Sequence, residues 1–82
     1  MPNLHMNRDQ LQSAINSGQT QFFHVSFAEE DLSGMDLSGL TFTGSSFRLC
    51  NLIDTNFHNS ILKGVNWTGA FRTMRQIHKI TT

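Results

Sequence analysis

Counting by fives from Phe22 lands on Phe22, Phe27, Leu32, Leu37, Phe42, Phe47, Leu52, Phe57, Leu62 and Trp67, all of them large and apolar. With roughly a third of positions large and apolar, such a run arises by chance on the order of once in 10^5. Neither the helical period of about 3.6 residues nor the strand period of about two gives this spacing. The flanking positions are patterned as well. Just before the centre stand Ser26, Asp31, Asp36, Thr41, Ser46, Asn51, Asn56 and Asn66, nearly all small and polar. Two before it stand Val25, Met35, Leu40, Ser45, Cys50, Thr55, Ser60 and Val65, mostly small or apolar. Two after it come Gly34, Gly39, Gly44, Gly64 and Gly69, with Asp54 and Asn59 where glycine is missing.

Turn chemistry explains the rhythm. A type II turn that begins at the central residue needs a positive φ two residues later, which suits Gly and, less well, Asn or Asp. The chain therefore turns every five residues, and four turns close a coil of about twenty that stacks on the next at about 4.8 Å. Residues twenty apart then form ladders: Phe22, Phe42 and Leu62; Phe27, Phe47 and Trp67; Leu32 with Leu52; Leu37 with Phe57. At about 1.5–3 kcal/mol for each large side chain buried, these centres supply most of the driving force for folding. The residues two before each centre face inward at the corners, where small side chains such as Ser45, Cys50 and Ser60 fit.

The units Asp31-Leu32-Ser33-Gly34, Asp36-Leu37-Ser38-Gly39 and Asn51-Leu52 resemble the A(D/N)LXX repeat of the pentapeptide-repeat family over residues 20–70. The resemblance implies an all-β solenoid, a right-handed quadrilateral β-helix of about two and a half coils. Three features depart from the family pattern. Alanine is almost absent two before the centre, Ile61 replaces a polar residue, and the register points the Glu30 carboxylate inward. Glu30 is expected near the open end of the first coil, within reach of water or a backbone donor.

Solenoid ends need caps. Asn7 with Gln10 reads as a capping box, Met6 with Leu11 as a hydrophobic staple, and Gly18 as a C-terminal stop. Leu11, Ala14 and Ile15 share a face, so a helix over about 8–17 is expected across the first coil, within an N-terminal segment 1–19. At the other end Arg72 occupies the next central position and the register fails. Phe71, Met74 and Ile77 recur every three residues, marking 71–82 as a C-terminal cap or dimerisation tail. Family resemblance implies a homodimer through the C-terminal coil.

Six basic and six acidic residues cancel in an 82-residue chain, which argues against generic binding to nucleic acid or an anionic membrane. The charges are segregated: Glu29, Glu30, Asp31 and Asp36 come early, Lys63, Arg72, Arg75 and Lys79 late. A single cysteine, Cys50, excludes an internal disulfide. No apolar run is long enough to span a bilayer. The first residues lack a secretory leader, so a cytoplasmic bacterial protein is expected, with specialised secretion as the alternative. His5, His24, His58 and His78 form no spaced metal-ligand pair, no serine sits in a nucleophile elbow, and the glycines follow the turn rhythm and not a phosphate fingerprint. No catalytic residue, metal or cofactor is expected.

The leading expectation is a non-enzymatic module that presents its faces to a protein partner. The candidate contacts are Arg48, Ile53, His58, Ile61, Lys63, Phe71 and Met74. Ile53 and Ile61 stand out as apolar residues at solvent-facing registers, and Trp67 serves as core or interface. Two alternatives come from branches of the family: a DNA-mimicking inhibitor or protector of DNA gyrase, for which the chain is short and neutral, and a stand-alone or fragmentary secreted bacterial effector.

Overall fold

The computed structural model describes residues 4–71. Strand β1, Leu4–His5, leads into helix α1, Arg8–Asn16, and the chain then reaches strand β2, Val25–Ser26. Beyond β2 the backbone is held by parallel bridges between residues twenty apart: Gln21 with Thr41, Ser26 with Ser46, Asp31 with Asn51 and Asp36 with Asn56. The next round repeats them as Thr41 with Ile61, Ser46 with Asn66 and Asn51 with Phe71. The repeat region is thus a parallel β-helix, its units stacked in four columns.

Most units supply the same hydrogen bonds. The central N–H donates to the next coil, as Phe22 does to the Thr41 carbonyl at 2.7 Å and Phe47 to that of Asn66 at 2.9 Å. Turns close from the centre to the residue three later, as Cys50 N–H to Phe47 O at 3.0 Å and Ser60 N–H to Phe57 O at 3.0 Å. Positive φ occurs two residues after every one of the ten centres, including three places where the sequence gives no such hint: His24, Glu29 and Leu49. Leu49 is the costliest of these. A non-glycine side chain with φ +59° crowds its own carbonyl, at about 1–2 kcal/mol.

The interior is a stack of rings. Phe22 lies on Phe42 at 5.3 Å, Phe27 on Phe47 at 5.2 Å and Phe47 on Trp67 at 5.2 Å, with interplanar angles of 18°, 12° and 18°. Neighbouring columns meet edge to face, as Phe42 with Phe47 at 5.2 Å and Phe47 with Phe57 at 5.7 Å. Both are favourable aromatic geometries. Phe22, Phe27, Leu32, Leu37, Phe42, Phe47, Leu52, Phe57 and Leu62 are buried, and Trp67, on the last coil, is partly buried against them.

At the inward corners of the middle coil, small size is only part of the explanation. Ser45 Oγ donates to Phe22 O at 2.8 Å, Cys50 Sγ to Phe27 O at 2.6 Å, Thr55 Oγ1 to Leu32 O at 2.7 Å and Ser60 Oγ to Leu37 O at 2.6 Å. Every one of these side chains reaches a central carbonyl of the coil before it. A buried hydroxyl or thiol is tolerated because it meets a buried acceptor.

Helix α1 has both signals of its start. Asn7 Oδ1 accepts from Gln10 N–H and Gln10 Oε1 accepts from Asn7 N–H, each at 2.8 Å. It ends in a Schellman arrangement, with Gly18 N–H to Ile15 O at 2.9 Å and Gln19 N–H to Ala14 O at 3.0 Å around Gly18 at φ +93°. Leu11 is fully buried in the core, with Met6, Ala14 and Ile15 packed against it. Ahead of α1, β1 pairs in parallel with β2, Leu4 opposite Val25 and His5 opposite Ser26. This extra rung brings His5 Nε2 within 3.2 Å of Glu30 Oε2. The Glu30 carboxylate therefore meets a histidine side chain at the N-terminal end, where a backbone donor or water was expected. Arg8 anchors the helix by donating to the carbonyls of Asp31 at 3.0 Å and Ser33 at 2.9 Å.

Candidate functional site

With the centres and corners turned inward, the outward chemistry is carried by the residues just before and just after each centre, and by the turn residue that follows. In most units the residue before the centre is occupied locally. Asp31 accepts from Ser33 N–H at 3.0 Å, Asp36 from Ser38 at 3.1 Å, Asn51 from Ile53 at 3.1 Å, Asn56 from His58 at 2.9 Å and Asn66 from Thr68 at 2.9 Å. These are Asx turns, and they give a physical reason for the Asp or Asn at that position. The Ser33 and Ser38 hydroxyls add bonds of 2.6 Å to Asp31 and Asp36. Those donors hold both carboxyls below the usual aspartate range, with the nearby Arg8 a smaller contribution at Asp31.

The first column differs. Before its centres stand Gln21, Thr41 and Ile61, and after them Phe23, Thr43 and Lys63. Phe23 is 51% exposed and Ile61 48%. His24, in a left-handed turn, leans over Gly44, where an added Cβ would fall 2.5 Å from its Nδ1.

The candidate contacts do not form one patch. Arg48, Ile53, His58 and Lys63 are five apart and so fall in four different columns, the second, third, fourth and first in turn. Two pairs share a column: Ile61 with Lys63 in the first, and Ile53 with Phe71 in the third. All six are exposed. Met74 lies outside the described residues, as do His78 and the tail from residue 72 onward. Sequence reasoning missed Phe23, which occupies the same outward register as Ile53, and Leu49, exposed only because a leucine fills a turn position where glycine is usual. Both could be found by placing the repeat in register and asking which outward sites are apolar.

Reactive groups are few. Cys50 is fully buried, and burial pushes its thiol up to about 11. Among the described residues no group of three or more His, Cys, Asp or Glu side chains could hold a metal ion. No helix among them is long and apolar enough to cross a membrane. No curated protein matches the chain. A family model for pentapeptide repeats matches residues 19–52 and 50–70, with 8 copies of the repeat.

Proposed function

The chain belongs to the pentapeptide-repeat family, and from that premise we propose a non-enzymatic module that binds a partner protein through the first column. Its four columns are the walls of a quadrilateral β-helix. The right-handed sense of nearly all parallel β crossovers supports the same hand here. The observation that carries the functional reading is the exposure of Phe23 and Ile61 on one column, beside Lys63 and two threonines. Elsewhere on the repeat most polar side chains before the centre are engaged in Asx or serine turns. On the first column the outward side chains carry no such local bond, which leaves a flat strip for contact. Aromatic and aliphatic anchors rimmed by polar groups are the usual core of a protein interface.

The test compares capture by the wild-type chain with capture by Phe23→Lys and Ile61→Lys. Both sites are outside the core, so folding should change by no more than about 0.5 kcal/mol. A protein retained by the wild type and lost by both variants supports the reading. Equal capture by all three sinks it.

A further inference from the structure

Two successive units of the first coil carry the same four residues, Asp31-Leu32-Ser33-Gly34 in the third column and Asp36-Leu37-Ser38-Gly39 in the fourth. On the second coil, the carbonyls just before and just after each of these centres take N–H groups from the coil before. Asn51 O accepts from Leu32 at 2.9 Å and Ile53 O from Gly34 at 3.1 Å in the third column. Asn56 O accepts from Leu37 at 2.9 Å and His58 O from Gly39 at 3.0 Å in the fourth. The corresponding carbonyls of the first coil, at the N-terminal end of the stack, depend on other donors.

In the third column that donor is a side chain. Arg8 Nη1 donates to Asp31 O at 3.0 Å and to Ser33 O at 2.9 Å, and it lies 3.9 Å from Asp31 Oδ1. One guanidinium nitrogen thus supplies both bonds that a preceding rung would supply, beside a carboxylate of opposite charge. The fourth column repeats every acceptor of this arrangement: Asp36 O, Ser38 O and the Asp36 carboxylate. Neither carbonyl has a hydrogen-bond partner among the described residues. The local geometry matches as well. Ser38 N–H and Oγ hold Asp36 Oδ1 at 3.1 and 2.6 Å, against 3.0 and 2.6 Å for Ser33 on Asp31. Asn56 Nδ2 adds a contact of 3.4 Å to the same Asp36 oxygen. Asp36 is exposed and Ser38 half-buried, as are Asp31 and Ser33 beneath Arg8. The cation is what differs: Ser33 and then Arg8 hold the Asp31 carboxyl low, whereas Ser38 alone does so at Asp36.

We propose that the N-terminal end of the fourth column binds the guanidinium group of an arginine on a partner protein. Asp36 O and Ser38 O take its N–H groups and the Asp36 carboxylate its charge, as the third column does with Arg8. A planar, weakly hydrated guanidinium suits two backbone acceptors and a carboxylate better than a compact, strongly hydrated ammonium does. The inference is separate from partner binding by the first column, and either can fail without the other.

The experiment titrates the blocked tripeptide Gly-Arg-Gly into isotope-labelled full chain. The amide signals of Leu37 and Gly39, which follow the two carbonyls, move and saturate at peptide concentrations on the order of millimolar. Blocked Gly-Lys-Gly binds there at least about fivefold more weakly. Asp36→Asn keeps the Asx acceptor but removes the charge, and weakens binding about two- to fivefold. Arg8→Gln frees the matching site, so in that variant the amides of Leu32 and Gly34 move too. Still signals at Leu37 and Gly39, shifts as large beside Glu29 and Asp54, or an equal response to the lysine peptide overturn the proposal. Movement of Leu37 and Gly39 with chain concentration alone, abolished by Arg48→Gln, makes a second copy the donor and overturns it as well.

Discussion

Replacing Ser45 by alanine should destabilise the repeat more than the same replacement at Cys50, although the two occupy equivalent corners. Ser45 Oγ donates to Phe22 O at 2.8 Å and accepts from Val25 N–H at 3.1 Å. The Phe22 carbonyl has no other partner among the described residues. Ser45→Ala therefore strips two buried backbone groups, at about 1–3 kcal/mol each, or about 2–6 kcal/mol together. Cys50 Sγ also meets a central carbonyl, that of Phe27 at 2.6 Å, but this oxygen keeps the Glu30 N–H at 3.2 Å. Cys50→Ala then loses one net hydrogen bond, about 0.5–1.5 kcal/mol. A chain of this size has about 4–12 kcal/mol in all, so the first variant loses a large fraction. Urea unfolding followed by far-ultraviolet circular dichroism measures the difference. With m of about 2 kcal/mol/M, the Ser45→Ala midpoint falls by about 1–3 M and the Cys50→Ala midpoint by about 0.3–0.8 M. Ser45→Cys, which restores a donor, recovers part of the loss. A Ser45→Ala shift no larger than that of Cys50→Ala refutes the reasoning.

Leu49→Gly should raise stability by about 1 kcal/mol, because it removes the left-handed leucine, and a lowered urea midpoint would contradict that. Asp31 and Asp36 have carboxyl groups held below the reference 3.8, so their contribution to stability is complete above that value and disappears as the pH falls through their lower folded-state values. Asp31→Asn with Asp36→Asn should flatten the acid limb of the stability profile measured by thermal melts from neutral pH downward, and an unchanged limb counts against the Asx-turn assignment. The Cys50 thiol, buried and raised to about 11, should resist iodoacetamide at neutral pH and react once urea unfolds the chain. Rapid alkylation of the folded protein would show that this corner opens.

The repeat was legible because its inward residues are large and its turns need particular backbone angles. Those demands recur every five residues and so add up to a signal. Helix α1 was legible for the opposite reason: Asn7, Gln10 and Gly18 are local signals that act within one turn of the chain. The two-residue strand β1 had no such mark. Leu4 and His5 form a rung only because Val25 and Ser26 present an open edge 21 positions later, and no local pattern encodes that. The left-handed His24, Glu29 and Leu49 were hidden because coil closure imposes the turn whatever side chain sits there. The candidate contacts were found singly but not grouped. Five-residue spacing suggests a row, whereas Arg48, Ile53, His58 and Lys63 each lie one turn further round the coil.

The difference between the five-residue unit and the twenty-residue stack has a consequence for how such a chain can lengthen. Inserting a single unit of five between Phe27 and Phe47 preserves which side chains point in and out, but it moves every later residue one column on relative to the coil before it, so Phe47 would no longer lie over Phe27. Duplicating twenty residues preserves both the alternation and the rings. Growth by gene duplication should therefore be accepted in whole circuits and resisted in quarters, however innocuous each quarter looks.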